Sequence, residues 1–208
     1  MTANHPSTSL RTGLRAALLA PLAAVSLAGC GLNSVPTAEE NVNAKWANVQ
    51  SEYQRRSDVI PNLVATVKGY AKQESTVLQQ VTEARANAGR VTLSAADLSD
   101  PAKVQAFNNA QNQLTQAIIP LQRLQEAYPD LKSNTNFLAL QSQIEGTENS
   151  ILVSRRDYNE AVQSYNVRIR TFPDAIGAKI FYGAKPKVPF EAAAGSQSAP
   201  KVDFNAAG

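Results

Sequence analysis

VNAKWANVQSEYQRRSDVIPNLVATV, residues 42–67, carries the clearest helical pattern in the chain. Apolar side chains recur here in steps of mostly three and four, and the pattern continues towards residue 81. The apolar positions are Val42, Trp46, Val49, Tyr53, Ile60, Leu63, Val67, Tyr70, Leu78 and Val81. This spacing predicts one face of a helix. Arg56 and Glu74 occupy in-phase positions, and we expect their stems to cover apolar surface while their charges reach water.

The beginning of this helix and its single proline both need interpretation. Thr37-Ala38-Glu39-Glu40 fits a capping box, and residues 30–36 before it are predicted to be a short tether. Pro61 removes one helical hydrogen bond, although a proline is also well suited to open a helix. Because the heptad phase runs through Pro61 without slipping, we favour one long kinked helix. Two helices meeting at Pro61 are the alternative.

Two further apolar stripes predict two more long helices. Residues 89–100 form a connection, and Asp100-Pro101 supplies an N-cap and a first helical residue. The second helix is predicted to stop at Tyr128-Pro129. The last helix starts near residues 133–135 and runs to about Thr171. Few segments alternate with period two, so no sheet is expected.

These elements predict an all-α fold, an elongated antiparallel up-and-down bundle of three to four long helices over residues 37–183. Gly69 and Gly146 lie inside helices, where each costs about 1 kcal/mol relative to Ala, and we interpret them as points of close helix approach. Residues 184–208 are predicted to form an extended or disordered tail. Its similar segments 186–190 and 200–204 each present one Phe. Either these Phe side chains dock on the bundle or they engage a partner, and we favour docking.

The N-terminal segment predicts a cleaved lipoprotein signal peptide at residues 1–29. Arg11 and Arg15 precede an apolar run, residues 16–27, which would rise about 18 Å as a helix and is too short to cross a ~30 Å hydrocarbon core. Leu27-Ala28-Gly29-Cys30 follows and is typical of a bacterial lipobox. We expect cleavage between Gly29 and Cys30, with diacylglycerol and palmitate-type chains on Cys30. Gly31, rather than Asp, favours the outer membrane if the envelope is Gram-negative.

Cleavage would also restrict the available chemistry. The removed segment contains the only His, His5, and Cys30 is the only Cys. Ser-His-Asp triads, Cys nucleophiles, disulfides and zinc sites built on Cys or His are therefore not expected, and we predict no catalytic residue, metal or cofactor. The segment also holds two Arg and no Asp or Glu, so its loss lowers the formal charge from +3 to +1. No nucleic-acid partner is predicted.

Two passages resemble the LemA family of bacterial envelope proteins. The first is EYQRRSDVIPNLV at residues 52–64, continuing with VKGYA at 67–71. The second runs from YPDLK at 128–132 to EGTEN at 145–149 and closes with RRDYNEAV at 155–162 and YN at 165–166. The resemblance covers most of residues 35–190. It implies a helical bundle held at the membrane and facing outside the cytoplasm; many relatives begin with a retained membrane helix, whereas this chain shows a lipobox.

Polar residues of these passages form the candidate site. Three of them lie at i, i+3 and i+4 on the last helix, and four arginines are placed to reach them from neighbouring turns. The set consists of Arg55, Arg56, Glu145, Glu148, Asn149, Arg155 and Arg156. We interpret it as an inter-helix polar network that fixes register. A carboxylate cluster for a cation or for acid–base chemistry is the alternative.

The sequence therefore predicts a non-enzymatic scaffold or interaction module of the cell envelope. It would reach the membrane through the lipid on Cys30 and bind an envelope protein, and the sequence leaves the partner and the oligomeric state open. The first alternative is a His-independent hydrolase using Glu145 and Glu148. The second is an oligomer that organises the membrane directly.

Overall fold

The computed structural model describes residues 33–191. The predicted signal peptide, the Gly29–Cys30 junction and the tail segment 200–204 lie outside the described residues. Within residues 33–191 the structure contains six α-helices, one 3-10 helix and no strand. The predicted all-α bundle is confirmed.

The helices are more numerous than the three apolar stripes indicate, and the last long helix ends at Arg168 rather than near Thr171. Their bounds are α1 Ser34–Tyr70, α2 Ser75–Arg90, α3 Pro101–Ala127, α4 Pro129–Lys132, α5 Thr135–Arg168 and α6 Asp174–Ile180, with the 3-10 helix at Ala95–Ser99. The described residues separate into two compact units. Unit A comprises residues 33–44 and 160–187, and unit B comprises residues 45–159 and 188–191.

Helix α1 continues through Pro61. A proline at this position cannot donate to the carbonyl of Ser57 four residues earlier. The side chain of Arg85 on α2 replaces that donor, since its Nε donates to the Ser57 carbonyl oxygen at 2.8 Å. The alternative of two helices meeting at Pro61 is therefore wrong.

The first stripe nevertheless belongs to two helices. Helix α1 ends at Tyr70, and residues 71–74 form a turn before α2 begins at Ser75. Tyr70, predicted to be in the core, is exposed, whereas Ala71 is buried. The backbone N–H of Ala71 still donates to the Val67 carbonyl at 2.8 Å. The sequence does not reveal this break, because the apolar stripe resumes in the same phase on α2 after the short turn.

The predicted capping box at residues 37–40 is wrong. Helix α1 begins at Ser34, inside the predicted tether, so Thr37 already lies in the helix. The Thr37 hydroxyl donates to the Asn33 carbonyl at 2.7 Å instead of accepting from a free N–H. Pro36 fits in this first turn because the N–H groups there have no helical acceptor.

Two other helix starts are capped by side chains. Asp100, the predicted N-cap of α3, accepts from the backbone N–H of Ala102 at 3.0 Å and of Lys103 at 3.4 Å. Before the 3-10 helix, the Asp97 carboxylate accepts from the Ser94 backbone N–H at 3.1 Å. Hydrogen bonds from the Lys103 ammonium and from Ser94 lower the pKa of Asp97 to about 2. Side chains thus fix the connection between α2 and α3.

Unit B is built around a continuous apolar core in which α2 packs on α3. The cluster contains Ile60, Leu63, Val67, Ala71, Leu78, Val81, Ala88, Leu114, Ile118, Leu121, Leu131, Phe137 and Ile144. The predicted close approach at Gly69 and Gly146 is wrong, because a Cβ atom at either position would meet no atom within 4 Å. Burying large apolar side chains from α1 to α5 stabilises this unit.

Unit A has its own buried apolar residues on α1, α5 and α6. They include Val35, Val42, Val162, Tyr165 and Ala178. Of the helices in the described part of the chain, none is long and apolar enough to cross a membrane.

Candidate functional site

Arg56 lies in the interior of unit B, with only 1% of the residue exposed. Its Nη1 donates to Glu148 Oε1 and to Thr115 Oγ1, each at 2.8 Å. Its Nη2 donates to Gln111 Oε1 at 2.6 Å and to the Gln111 carbonyl at 3.3 Å. Arg56 therefore joins α1 to α3 and α5 through charge-assisted hydrogen bonds, which are stronger than neutral ones.

The sequence places Arg56 there because it is in phase with the apolar stripe between Tyr53 and Ile60. The expectation that its charge reaches water is wrong. Its guanidinium lies 5.2 Å from the centre of the Tyr53 ring and has polar partners inside the bundle. Burial without such partners would cost several kcal/mol.

The structure brings together Arg56 and Glu148 but not the whole predicted set. Arg55 lies on the surface, 3.8 Å from Glu52 on its own helix. Glu145 is exposed and accepts from Gln141 at 3.2 Å. Asn149 is also exposed. A single network of all seven residues does not form.

The two remaining arginines of the set have different environments. The guanidinium carbon of Arg155 lies 4.7 Å from the centre of the Phe190 ring, and its Nη2 donates to the Glu191 carbonyl at 3.1 Å. Arg156 is exposed and lies 3.7 Å from Asp157. Arg155 therefore contacts the tail, and it also lies beside Tyr53, the ring that Arg56 contacts.

The tail residues 188–191 dock on unit B, as favoured from the sequence. Phe190 is buried among aromatic rings, with centroid distances of 5.3 Å to Tyr158, 5.9 Å to Trp46 and 6.5 Å to Phe107. The Val188 N–H donates to the Leu98 carbonyl at 2.8 Å. The Tyr158 hydroxyl donates to the Val188 carbonyl at 3.0 Å, and burial raises the pKa of this phenol.

An asparagine side chain fixes the backbone of this tail segment. Asn159 Nδ2 donates to the Phe190 carbonyl at 2.9 Å, and Asn159 Oδ1 accepts from the Phe190 N–H at 2.8 Å. One amide thus satisfies both backbone groups of a residue that has no neighbouring strand. The predicted polar network did not include Asn159.

Unit A contains an asparagine with the same role. Asn166 Nδ2 donates to the Lys187 carbonyl at 2.8 Å, and its Oδ1 accepts from the Lys187 N–H at 2.9 Å. The Lys187 ammonium is 3.0 Å from Glu39 on α1. The repeated dipeptide Tyr-Asn, at 158–159 and 165–166, is the sequence signal that could have revealed both asparagines.

A buried tyrosine and an exposed apolar surface are the other notable features of unit A. Burial, together with the Glu39 carboxylate, raises the pKa of Tyr165 to about 12. Apolar residues in and beside α6 are exposed, and we call four of them the α6 apolar surface: Phe172, Ile176, Ile180 and Phe181. Neither the surface nor helix α6 was anticipated from the sequence.

The two carboxylates of the hydrolase alternative have different surroundings. Glu148 is bound to Arg56, whereas Glu145 faces solvent, so the two do not share a pocket. Among residues 33–191 no group of three His, Cys, Asp or Glu side chains is placed to hold a metal ion.

Fold and polar contacts define an all-α bundle protein in which two charged residues, Arg56 and Lys187, are buried with their partners and side-chain amides fix the tail. The chain belongs to the LemA family, whose family model matches residues 45–204. That match includes Arg56, Glu148 and both tail-binding asparagines.

Curated relatives agree with this assignment. The chain is 26% identical over 157 residues to magnetosome protein MamQ 2 and to MamQ 1 of Paramagnetospirillum magneticum, covering 68% of this chain and 58% of each relative. It is 26% identical over 124 residues to protein LemA of Metamycoplasma hominis, covering 60% of this chain and 52% of that protein. The chain thus spans little more than half the length of these relatives.

Proposed function

We propose that this protein is a lipid-anchored, non-enzymatic interaction module of the bacterial cell envelope. The observation that carries the proposal is the Arg56–Glu148 pair at 2.8 Å. It commits the best-placed carboxylate of the candidate site to joining α5 to α1, while the same Arg56 side chain binds α3. The relatives are named as magnetosome or LemA proteins, and neither name denotes a reaction.

The proposed anchor is Cys30. The basic start, the short apolar run and the small residues before Cys30 support cleavage and acylation there. Each buried methylene contributes about 0.8 kcal/mol, so several acyl chains would hold the domain at a bilayer permanently. The bundle would then meet its protein partner at the membrane surface, and the outer membrane is the proposed location in a Gram-negative cell.

The hydrolase alternative requires Glu145 and Glu148 to act on one substrate. Retention of the Arg56 bond would keep the Glu148 carboxylate oriented into the bundle, which disfavours its pairing with Glu145 as acid and base. The second alternative, an oligomer that organises the membrane, differs from the interaction module in the number of copies of this chain in the complex. No contact within one chain distinguishes the two.

In-cell cross-linking of a tagged protein tests the proposal. We expect one envelope protein to be recovered at fixed stoichiometry with wild type and with Glu145→Gln. It should not be recovered with Cys30→Ser, because the lipid anchor brings the protein to its partner at the membrane. In a substrate screen of the purified protein, the turnover of Glu148→Gln is compared with that of Glu145→Gln, which is the matched control. Recovery of this chain alone, together with a turnover that Glu148→Gln abolishes and Glu145→Gln retains, would overturn the proposal.

A further inference from the structure

The α6 apolar surface is unusually exposed for a small helical unit. Phe172 is 81% exposed, Ile180 69% and Phe181 67%. Ile176 and Ile180 are four residues apart and share one side of α6, while Gly177 and Ala178 are buried. A cluster of large apolar side chains on the outside of a domain indicates a contact surface.

Exposed basic residues lie before, within and after this surface in the sequence. Residues 167–185 contain four Lys and Arg and a single Asp. The cations are Arg168, Arg170, Lys179 and Lys185, and all four are exposed. Asp174 lies 3.9 Å from Arg168. Apolar side chains bordered by cations match the interface of an anionic bilayer, where the apolar groups enter and the cations face the headgroups.

The N-terminus of α1 connects this surface to the proposed anchor. Arg168 Nη1 donates to the Ser34 carbonyl at 3.4 Å, so the beginning of α1 lies beside the end of α5 within unit A. Only four residue steps separate Ser34 from Cys30. An extended chain of that length spans at most about 14 Å. Ser34, and Arg168 with it, would therefore be held close to any bilayer that contains a Cys30 lipid.

We propose that the α6 apolar surface inserts into the headgroup region of an anionic lipid bilayer. This inference rests on the proposed lipid anchor, because the short chain from Cys30 brings unit A to the membrane. Insertion would give the domain a second attachment and so restrict its rotation about the flexible lipid linkage.

Fluorescence quenching of the acylated full-length protein tests this insertion. In separate variants, Ile176→Cys or Leu152→Cys supplies the only free thiol, since Cys30 carries lipid, and each receives the same environment-sensitive fluorophore. Leu152 is the matched control because it is also an exposed apolar residue, on α5 in unit B. The proteins are placed in phosphatidylethanolamine–phosphatidylglycerol vesicles whose acyl chains are brominated near the headgroup.

We expect brominated lipid to lower the emission at position 176 at least roughly twofold relative to position 152. Adding Ile180→Glu should abolish this difference, because a carboxylate opposes insertion into an anionic surface, whereas Val153→Glu should leave it unchanged. Equal quenching at positions 176 and 152 would overturn the inference.

The lipid anchor at Cys30 and the insertion of the α6 apolar surface can be disproved separately. The mass of the N-terminal peptide reports acylation of Cys30 independently of the fluorophore. An acylated, vesicle-bound protein without selective quenching at position 176 overturns the insertion and leaves the proposed function standing. If Cys30 carries no lipid, the proposed function fails. Addition of the labelled Cys30→Ser chain to the same vesicles then decides the insertion: selective quenching supports it and its absence overturns it.

Discussion

Arg56 in unit B and Phe172 in unit A reverse the usual rule of burial. Arg56 carries a full charge and is 1% exposed, whereas Phe172 is a large apolar residue and is 81% exposed. Arg56 has four described hydrogen bonds, to three residues on two other helices. Among the described residues 33–191, the α6 apolar surface has no comparable set of partners to explain its position. The contrast teaches that a buried charge here serves stability, while the exposed apolar residues are available for binding.

The consequence for mutation is that the two regions should respond in opposite ways. Changes at the buried polar network should alter the free energy of unfolding strongly and affect binding only through the fold. Changes at the α6 apolar surface should leave the free energy of unfolding nearly unchanged. Four variants and their controls, measured by chemical denaturation of the full chain, examine this difference.

Arg56→Met should have the largest effect, a loss of about 3 kcal/mol in the free energy of unfolding. Removing the guanidinium leaves Gln111 and Glu148 without their donor, although Glu148 retains some solvent access. The matched control is Arg55→Met, whose side chain is 64% exposed, and it should change stability by less than about 0.5 kcal/mol. Equal effects of the two variants would show that the buried network contributes nothing.

Asn159→Leu should cost about 2 kcal/mol, because the N–H and C=O of Phe190 both lose their partner. The control is Asn149→Leu on the same helix, at an exposed position, where a small change is expected. Protease resistance of residues 188–191 provides a second readout. If the tail remained protected in Asn159→Leu, the aromatic contacts of Phe190 alone would suffice to dock it.

Gly146→Ala should raise the free energy of unfolding by up to about 1 kcal/mol, since Ala is the better helix former. The added methyl group meets no atom within 4 Å. At Gly183 the backbone φ is +54°, so Gly183→Ala should destabilise instead. A loss of stability in Gly146→Ala would support the hypothesis of a close helix approach at Gly146, which the structure does not contain.

The double variant Ile176→Ser, Ile180→Ser should have the smallest effect on unfolding, within about 0.5 kcal/mol of wild type. Both side chains are more than half exposed, so little apolar contact is lost. A destabilisation comparable with that of Arg56→Met would mean that these residues pack within the protein, and the contrast between the two regions would disappear.

Much of the fold follows from local patterns in the sequence. The unbroken phase at Pro61 correctly indicates one helix there, and Asp100-Pro101 correctly locates the start of α3. The turn at residues 71–74 is hidden, because the stripe resumes in phase on α2 without a proline or glycine inside the turn. The start of α1 at Ser34 is also hidden, since Thr37 looks like a cap until the preceding turn is seen to be helical.

The polar contacts were less accessible because their partners are distant in the sequence. Arg56 is in phase with a stripe, which indicates that it faces the bundle, but its partners Gln111 and Thr115 belong to a helix with many similar polar residues. Asn159 acts on Phe190 in a tail whose composition resembles that of a disordered segment. Helix α6 is only seven residues long, too short to produce a readable period.

Both the proposed module and the insertion of the α6 apolar surface depend on the lipid at Cys30. The most direct measurement is metabolic labelling of cells with a fatty acid, comparing tagged wild type with Cys30→Ser at equal expression. The account predicts that the label is incorporated into wild type and absent from Cys30→Ser. Equal labelling of the two proteins would contradict it.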